Sequence, residues 1–258
     1  MPPKRKKGNR YIKTFITLTI ISAFIGMAYV VYLWSANRRT DFVEYAEFGI
    51  PIPTRFGIHG IDVSRYQQKI SWASVKEMNV SGIQLYFAFI KATEGVNRTD
   101  PFFKRNWKNA KQAGVVRGAY HFFIPWKDGK LQAQSFIKTV TLSPGDMPPV
   151  LDVEQAGKKG KDNLKKEVKE WLLIVEEHYG VRPIIYTSAD FYKHNLGDEF
   201  DDYPLWVAHY LQKHQPRIKR EWSFWQHSER GRVNGITSKV DFNVFNGDSI
   251  EFRSLLIP

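Results

Sequence analysis

The chain has 258 residues, 43% of them hydrophobic and 15% aromatic, enough apolar matter for one large domain or two small ones and too much for wholesale disorder. It has no cysteine, which excludes disulfides, thiolate metal sites and a cysteine nucleophile. Its formal charge of +12 has the sign of a nucleic-acid binder, yet Lys4, Arg5, Lys6, Lys7, Arg10, Lys13, Arg38 and Arg39 all fall in the first 40 residues with no acid among them, so the excess is an N-terminal feature and no nucleic-acid partner is expected.

Residues 1–14 read as a basic tail. The next 20, FITLTIISAFIGMAYVVYLW from Phe15 to Trp34, carry no charge, and a helix of ~20 apolar residues spans a bilayer. Six basic residues precede it and two follow, so the positive-inside rule keeps the N-terminus in the cytoplasm and places the rest outside a cytoplasmic membrane, as a single-pass protein. Tyr29, Tyr32 and Trp34 would sit at the outer interface. A cleaved signal peptide would have a shorter apolar region and a small-residue cleavage site; Ser35-Ala36 is a poor one. Residues 35–56 read as a tether, with Pro51 and Pro53 opposing regular structure.

Beyond the tether, strand-length apolar runs alternate with helical segments. GIHGIDVS (57–64) is the first strand, followed by a helix from Ser71 as N-cap. QLYFAFIKAT (84–93) is the second, followed by a helix over 101–113 that stops at Gly114. VRGAYHFF (116–123) is the third, with a helix near 130–141; PPVLDVE (148–154) is the fourth, with a helix over 162–179 ending at Gly180. RPIIYTS (182–188) is the fifth. PLWVAHY (204–210), SFWQHS (223–228) and KVDFNVF (239–245) follow with gaps too short for crossover helices. The expected fold class is α/β: a TIM-like (β/α)-barrel with five βα units plus three β-strands, preceded by one transmembrane helix. An open doubly wound sheet is the alternative, but no Gly-rich phosphate loop follows the first strand.

In such a barrel the working site lies at the C-terminal ends of the strands. Those ends carry Asp62; Lys91 and Glu94; Tyr120 and His121; Asp152 and Glu154; Tyr186; His209 and Tyr210; Gln226; and Asp241. Residues i and i+2 of a strand share a face, so Val150, Asp152 and Glu154 would point one way and Leu151 and Val153 the other. Two carboxyls held so close do not ionise independently, and one stays protonated beside a carboxylate. That pair suits glycoside hydrolysis, in which one group protonates the leaving oxygen and the other stabilises charge at the sugar carbon. Taken singly, each residue has a plainer role: Asp62 as a turn cap, Lys91 and Glu94 as each other's ion pair, the tyrosines and histidines as core. No HExxH or His/Asp cluster points to a metal, no GxSxG to a serine hydrolase, and nothing points to a cofactor.

The pieces GIDVSRYQ, FAFIKATEG, GVVRGAYHFF, PPVLDVE, IIYTS, LWVAHY, WQHS and VDFNVF occur in this order between residues 57 and 247. Together they resemble the glycoside hydrolase family 25 lysozymes, the Chalaropsis-type muramidases. The resemblance implies a catalytic domain over 57–258 that hydrolyses the β-1,4 bond between N-acetylmuramic acid and N-acetylglucosamine in peptidoglycan. It implies Glu154 as general acid, Asp152 as its partner carboxylate, and Asp62 and Asp241 as further active-site acids. Tyr120, Tyr186 and Trp206 fall in motifs that line the family's sugar groove, and His121, Lys91, Glu94, Tyr210 and Gln226 join them as candidate substrate contacts. The expected form is a monomer. A non-catalytic, anchored glycan-binding protein and a hydrolase of another acetamido sugar such as chitin are the competing readings.

Overall fold

The computed structural model describes residues 8–36 and 41–258. The flanking charges Lys4, Arg5, Lys6, Lys7, Arg38 and Arg39 lie outside the described residues, as do the side chains of Arg10, Tyr32 and Trp34. The chain divides into two units, residues 1–41 and 42–258. The first holds helix α1, Gly8–Ala36, whose stretch Ile12–Val31 has a mean hydropathy of 2.0 and no burial. It is long and apolar enough to cross a membrane.

The second unit opens on strands β1 (Phe42–Tyr45) and β2 (Ile50–Pro53), an antiparallel hairpin. This corrects the expectation of an irregular tether through residue 56. Pro51 and Pro53 are tolerated because the hairpin has only two strands, so each strand keeps an unpaired edge where a missing N–H breaks no ladder. The hairpin and the turn after it bury Phe48, Ile50, Ile52 and Phe56. Phe48 meets Phe242 edge-on at 5.3 Å, and Phe56 meets Trp222 and Trp225 at 5.8 and 6.0 Å.

Eight strands then form a closed sheet. In chain order the elements are β3 (His59–Val63), α2 (Trp72–Glu77), the short β4 (Asn79–Val80), β5 (Ile83–Glu94), the short β6 (Arg98–Thr99), α3 (Phe103–Gln112), β7 (Val116–Phe122), α4 (Gly129–Thr139), β8 (Val150–Asp152), α5 (Lys161–Tyr179), β9 (Ile184–Ser188), α6 (Ala189–Phe191), β10 (Leu205–Ala208), β11 (Phe224–Gly231), β12 (Val240–Phe245) and α7 (Ser249–Ser254). Strands β3, β5, β7, β8, β9, β10 and β11 run parallel to their neighbours in turn, and antiparallel β12 closes the ring between β11 and β3. Helical segments separate the first six barrel strands, whereas β10 to β12 are joined by loops. The N-terminal hairpin packs outside β11 and β12, where those helices are missing.

Alternation along each strand sorts the side chains into two layers. Ile61, Val63, Ala88, Ile90, Leu151, Val153, Ile185, Leu205, Val207, Trp225, Phe242 and Val244 join the outer core beneath helices and hairpin. Phe87, Phe89, Tyr120, Val150, Ile184, Tyr186, Trp206, Phe224 and Phe245 fill the lumen. Gly60 is required for that filling: a Cβ there would lie 2.5 Å from the Phe87 ring. The longest crossover helix, α5, buries Leu164, Val168, Trp171, Leu172 and Val175 on one side and ends on Gly180 at φ +69°, the left-handed geometry that favours glycine.

Candidate active site

The inward face of each strand ends in a polar group at the same mouth. On β3 the inward residues are Gly60 and Asp62. Asp62 caps nothing: the turn after β3 is capped by Ser64, whose side chain accepts from Tyr66 N while Gln67 returns a bond to the Ser64 backbone. Antiparallel pairing with β12 sets Asp62 directly opposite Asp241, close enough for each carboxyl to act on the other's ionisation. Two residues along β12, Asn243 faces the same way.

Asp62 is held by two amides. Gln226 Nε2 and Asn243 Nδ2 each donate to Asp62 Oδ2 at 2.8 Å. Neither amide can turn over without loss. Gln226 Oε1 accepts the Tyr186 hydroxyl at 2.8 Å and the Tyr210 hydroxyl at 2.5 Å, and Asn243 Oδ1 accepts Trp206 Nε1 at 2.8 Å. Trp206 in turn stacks on Phe89 at 4.3 Å and leans on Tyr186 at 4.3 Å. Asn243, one of the residues that fix Asp62, was not among the sequence candidates. The signal was present: it lies two positions after Asp241 in VDFNVF, on the same face.

Across the mouth, β8 delivers Asp152. Its side chain is buried, and its Oδ1 has no hydrogen-bond partner. The strand ends there, and Glu154 follows on an extended segment with its side chain exposed. Leu151 and Val153 turn outward into the core. Lys91, inward on β5 beyond Phe87 and Phe89, pairs with Glu94 at 2.8 Å and lies 4.5 Å over the Phe122 ring. Arg98 also contacts Glu94.

All four acids sit above the usual carboxylate range. Burial raises Asp62 against the pull of its amide donors. Burial and the charge of Asp62 push Asp241 up to about 9. Asp152 is raised well above its ordinary value by burial and then by the charge of Glu154, with Lys91 opposing. Glu154 is raised by burial and by the charge of Asp62, with Lys91 opposing. Although the side chain of Glu154 reaches solvent, enough protein surrounds its carboxyl for desolvation to be the largest cause. Acids crowded around one lysine do not ionise independently, and Asp241 holds its proton up to about 9, which leaves carboxylic acid beside carboxylate. This can both donate a proton to an oxygen and hold a developing positive charge.

The predicted contact residues divide. Asp62, Lys91, Tyr120, Asp152, Glu154, Tyr186, Tyr210, Gln226 and Asp241 come to one mouth, with Glu94 beside them through Lys91. His121 does not. It alternates outward from Tyr120, is fully buried, and packs against Trp171 at 5.7 Å with its ring nitrogens on Thr93 and Gln132. It is a core residue, because a strand cannot point two successive side chains to the same face. Trp206 is inward but only 2% exposed; it forms the floor under Tyr186 and Asn243. Gln226 is equally buried and bridges Asp62 to two tyrosines.

The sequence profile of Glycosyl hydrolases family 25 matches residues 61–236. Protein YegX of Escherichia coli (strain K12) is 43% identical over 98% of this chain and 95% of its own length. Lysozyme M1 of Streptomyces globisporus is 36% identical over 77% of this chain and 71% of its own. The solved structure of a family 25 glycosyl hydrolase from Bacillus anthracis superimposes with a TM-score of 0.71 at 35% identity, covering 78% of this chain and 94% of that one. Every carboxyl of the mouth except Asp241 lies inside the matched segment, and the chain belongs to glycosyl hydrolase family 25 and is a glycoside hydrolase.

Proposed function

We propose that this enzyme is a muramidase that cleaves the β-1,4 bond between N-acetylmuramic acid and N-acetylglucosamine in peptidoglycan. The observation that carries the reading is the buried, unpartnered Oδ1 of Asp152 beside the solvent-reaching Glu154. A buried carboxyl oxygen without a donor is an acceptor with no partner in the protein. The N–H of a 2-acetamido group supplies the missing donor.

The steps follow from the placement of the groups. Glu154, whose proton is held more tightly by its surroundings than in water, donates it to the leaving glycosidic oxygen. The substrate's acetamido carbonyl oxygen attacks the sugar carbon, and Asp152 orients that group and stabilises the cation that forms. The attack closes a five-membered ring between the acetamido oxygen and the sugar carbon; water then bonds to that carbon as the ring's C–O bond breaks, Glu154, now a carboxylate, takes the water's proton, and the two displacements retain the configuration. Asp62 and Asp241 share a proton at the rear wall. Their negative charge, fixed by Gln226 and Asn243, favours the positive transition state. Tyr120, Tyr186 and Tyr210 border the sugar.

The unit from Phe42 to Pro258 is read as the catalytic domain, a TIM-like barrel of five βα units with three further strands, acting as a monomer. The N-terminal helix is read as a single-pass anchor of the cytoplasmic membrane with the N-terminus inside and the domain outside. It would confine the enzyme to the producing cell's own wall.

The test is product analysis. Residues 41–258 are incubated with purified peptidoglycan, and the fragments are reduced with borohydride and weighed. Reduced muramic acid at the new ends is expected. Reduced glucosamine at the new ends, turnover of chitin oligomers in preference, or binding without products would overturn the reading.

A further inference from the structure

The loop from β10 to β11 carries the acid-free stretch LQKHQPRIKR over residues 211–220, with Glu221 following it before β11. It leaves the mouth one residue after Tyr210, whose hydroxyl is bonded to Gln226 in the site. It then descends the flank of the barrel, ending at Trp222 and the start of β11. Between the loop and Arg55 runs an open groove of about 810 Å³, lined by Arg55 and residues 211–219. Arg55, Lys213, Arg217 and Lys219 are all exposed, and Leu211 is 97% exposed at φ +58°.

The loop is nonetheless built. Pro216 is buried, the Arg217 amide donates to His209 Nδ1 at 3.1 Å, Arg217 Nε donates to Gln212 Oε1 at 2.6 Å, and Trp225 Nε1 donates to the His209 carbonyl at 2.9 Å. Arg220 is spent on structure, donating to Tyr192 and to the carbonyls of Phe200, Asp201 and Tyr203. Among the described residues, Arg55, Lys213, Arg217 and Lys219 have no carboxylate partner.

We propose that this groove is a subsite for the anionic peptide stem that branches from the muramic acid sugars of the glycan strand. The assignment rests on the muramidase reading and deepens it. With the lactyl carboxyl of each muramic acid tied up in the amide bond to its stem, the sugars are uncharged, whereas the stems carry free carboxylates. The mouth itself offers them no free cation, since its one lysine, Lys91, is paired with Glu94. The adjoining flank carries four unpaired cations and attracts them, so the electrostatics sort a branched strand into sugar over the mouth and stem over the rim. An extended tetrapeptide reaches roughly 13–14 Å, long enough to pass from the rim beside Tyr210 down the flank. The exposed Leu211 offers an apolar contact to the short aliphatic side chains of such a stem.

The test separates sugar binding from stem binding and does not depend on turnover. The full chain carrying Glu154→Gln, in neutral detergent, is titrated calorimetrically with glycan tetrasaccharides bearing tetrapeptide stems and with the same tetrasaccharides stripped of stems by an amidase, their freed lactyl carboxylates capped as methylamides. The stem-bearing ligand binds about tenfold more tightly, the scale of a few exposed charge pairs acting together. The gap closes in about 0.5 M salt and disappears in Lys213→Gln/Arg217→Gln/Lys219→Gln, while affinity for the stripped ligand is unchanged. Equal affinity for the two ligands in the parent overturns the proposal, as does a gap that survives the triple substitution. An equal loss for both ligands in the triple variant also overturns it, assigning the loop to the sugars or to folding. Failure of the muramidase reading shows separately, as wild-type chain that releases no reducing ends from the stripped strands.

Discussion

Asn243→Leu is the sharpest test of how the acid cluster is held. The leucine fills nearly the same volume but offers no polar atom. Two buried bonds vanish at once. Asp62 Oδ2 loses the donor at 2.8 Å, worth about 1.5–3 kcal/mol for a bond to a charged group. Trp206 Nε1 loses its acceptor at 2.8 Å in a lumen where Trp206 is 2% exposed, and an unsatisfied buried donor costs about 1–3 kcal/mol. The sum is about 2.5–6 kcal/mol, a large share of the roughly 5–15 kcal/mol that holds a domain together. In urea, with a slope of roughly 2–3 kcal/mol/M, the midpoint for residues 41–258 should fall by about 1–3 M. A double-mutant cycle isolates the second bond: in a Trp206→Phe background the donor is already gone, so Asn243→Leu should cost about 1–3 kcal/mol less. A midpoint shift below about 0.3 M, or strict additivity with Trp206→Phe, would refute the network as described.

Three further outcomes follow from the same geometry. Asp241 has its proton held to about 9 in the fold against 3.8 ordinarily, so the native state binds a proton that the unfolded chain releases between those values. Stability therefore falls as pH rises through that window, and Asp241→Asn should stabilise residues 41–258 more at pH 8 than at pH 5 in paired thermal melts; an equal effect at both would contradict the assignment. Lys91 lowers both Asp152 and Glu154, so Lys91→Met should move both limbs of the pH–rate profile upward, and a downward or absent shift would count against Lys91 facing the pair. A chain begun at Gly57 removes Phe48, Ile50, Ile52 and Phe56 from the core, a loss of roughly 6–12 kcal/mol at about 1.5–3 kcal/mol per side chain. It should fail to fold where a chain begun at Asp41 melts cooperatively.

Much of the site was legible in the sequence because strand alternation is strict. PPVLDVE places Leu151 and Val153 on one face and Asp152 on the other by period alone, and the polar ends of eight apolar runs locate the mouth. The same rule, applied to VRGAYHFF, would have sent His121 outward once Tyr120 was placed inward, and applied to VDFNVF it would have brought Asn243 in beside Asp241. What period alone does not carry is pairing. Asp62 and Asp241 meet because an antiparallel last strand closes the ring next to the first, a choice made across the whole chain. The hairpin over residues 42–53 was hidden by its prolines. They read as breakers until the uncovered flank of β11 and β12 supplies the apolar surface that the hairpin buries.

The central claim is that Glu154 gives the proton that breaks the sugar bond. Glu154→Gln keeps the shape and removes the acid, so release of reducing ends from purified peptidoglycan by residues 41–258 should fall by about 10²–10⁴-fold, the usual contribution of a positioned general acid, with the urea midpoint unchanged. Turnover within about tenfold of the parent, from a variant equally folded, would contradict it.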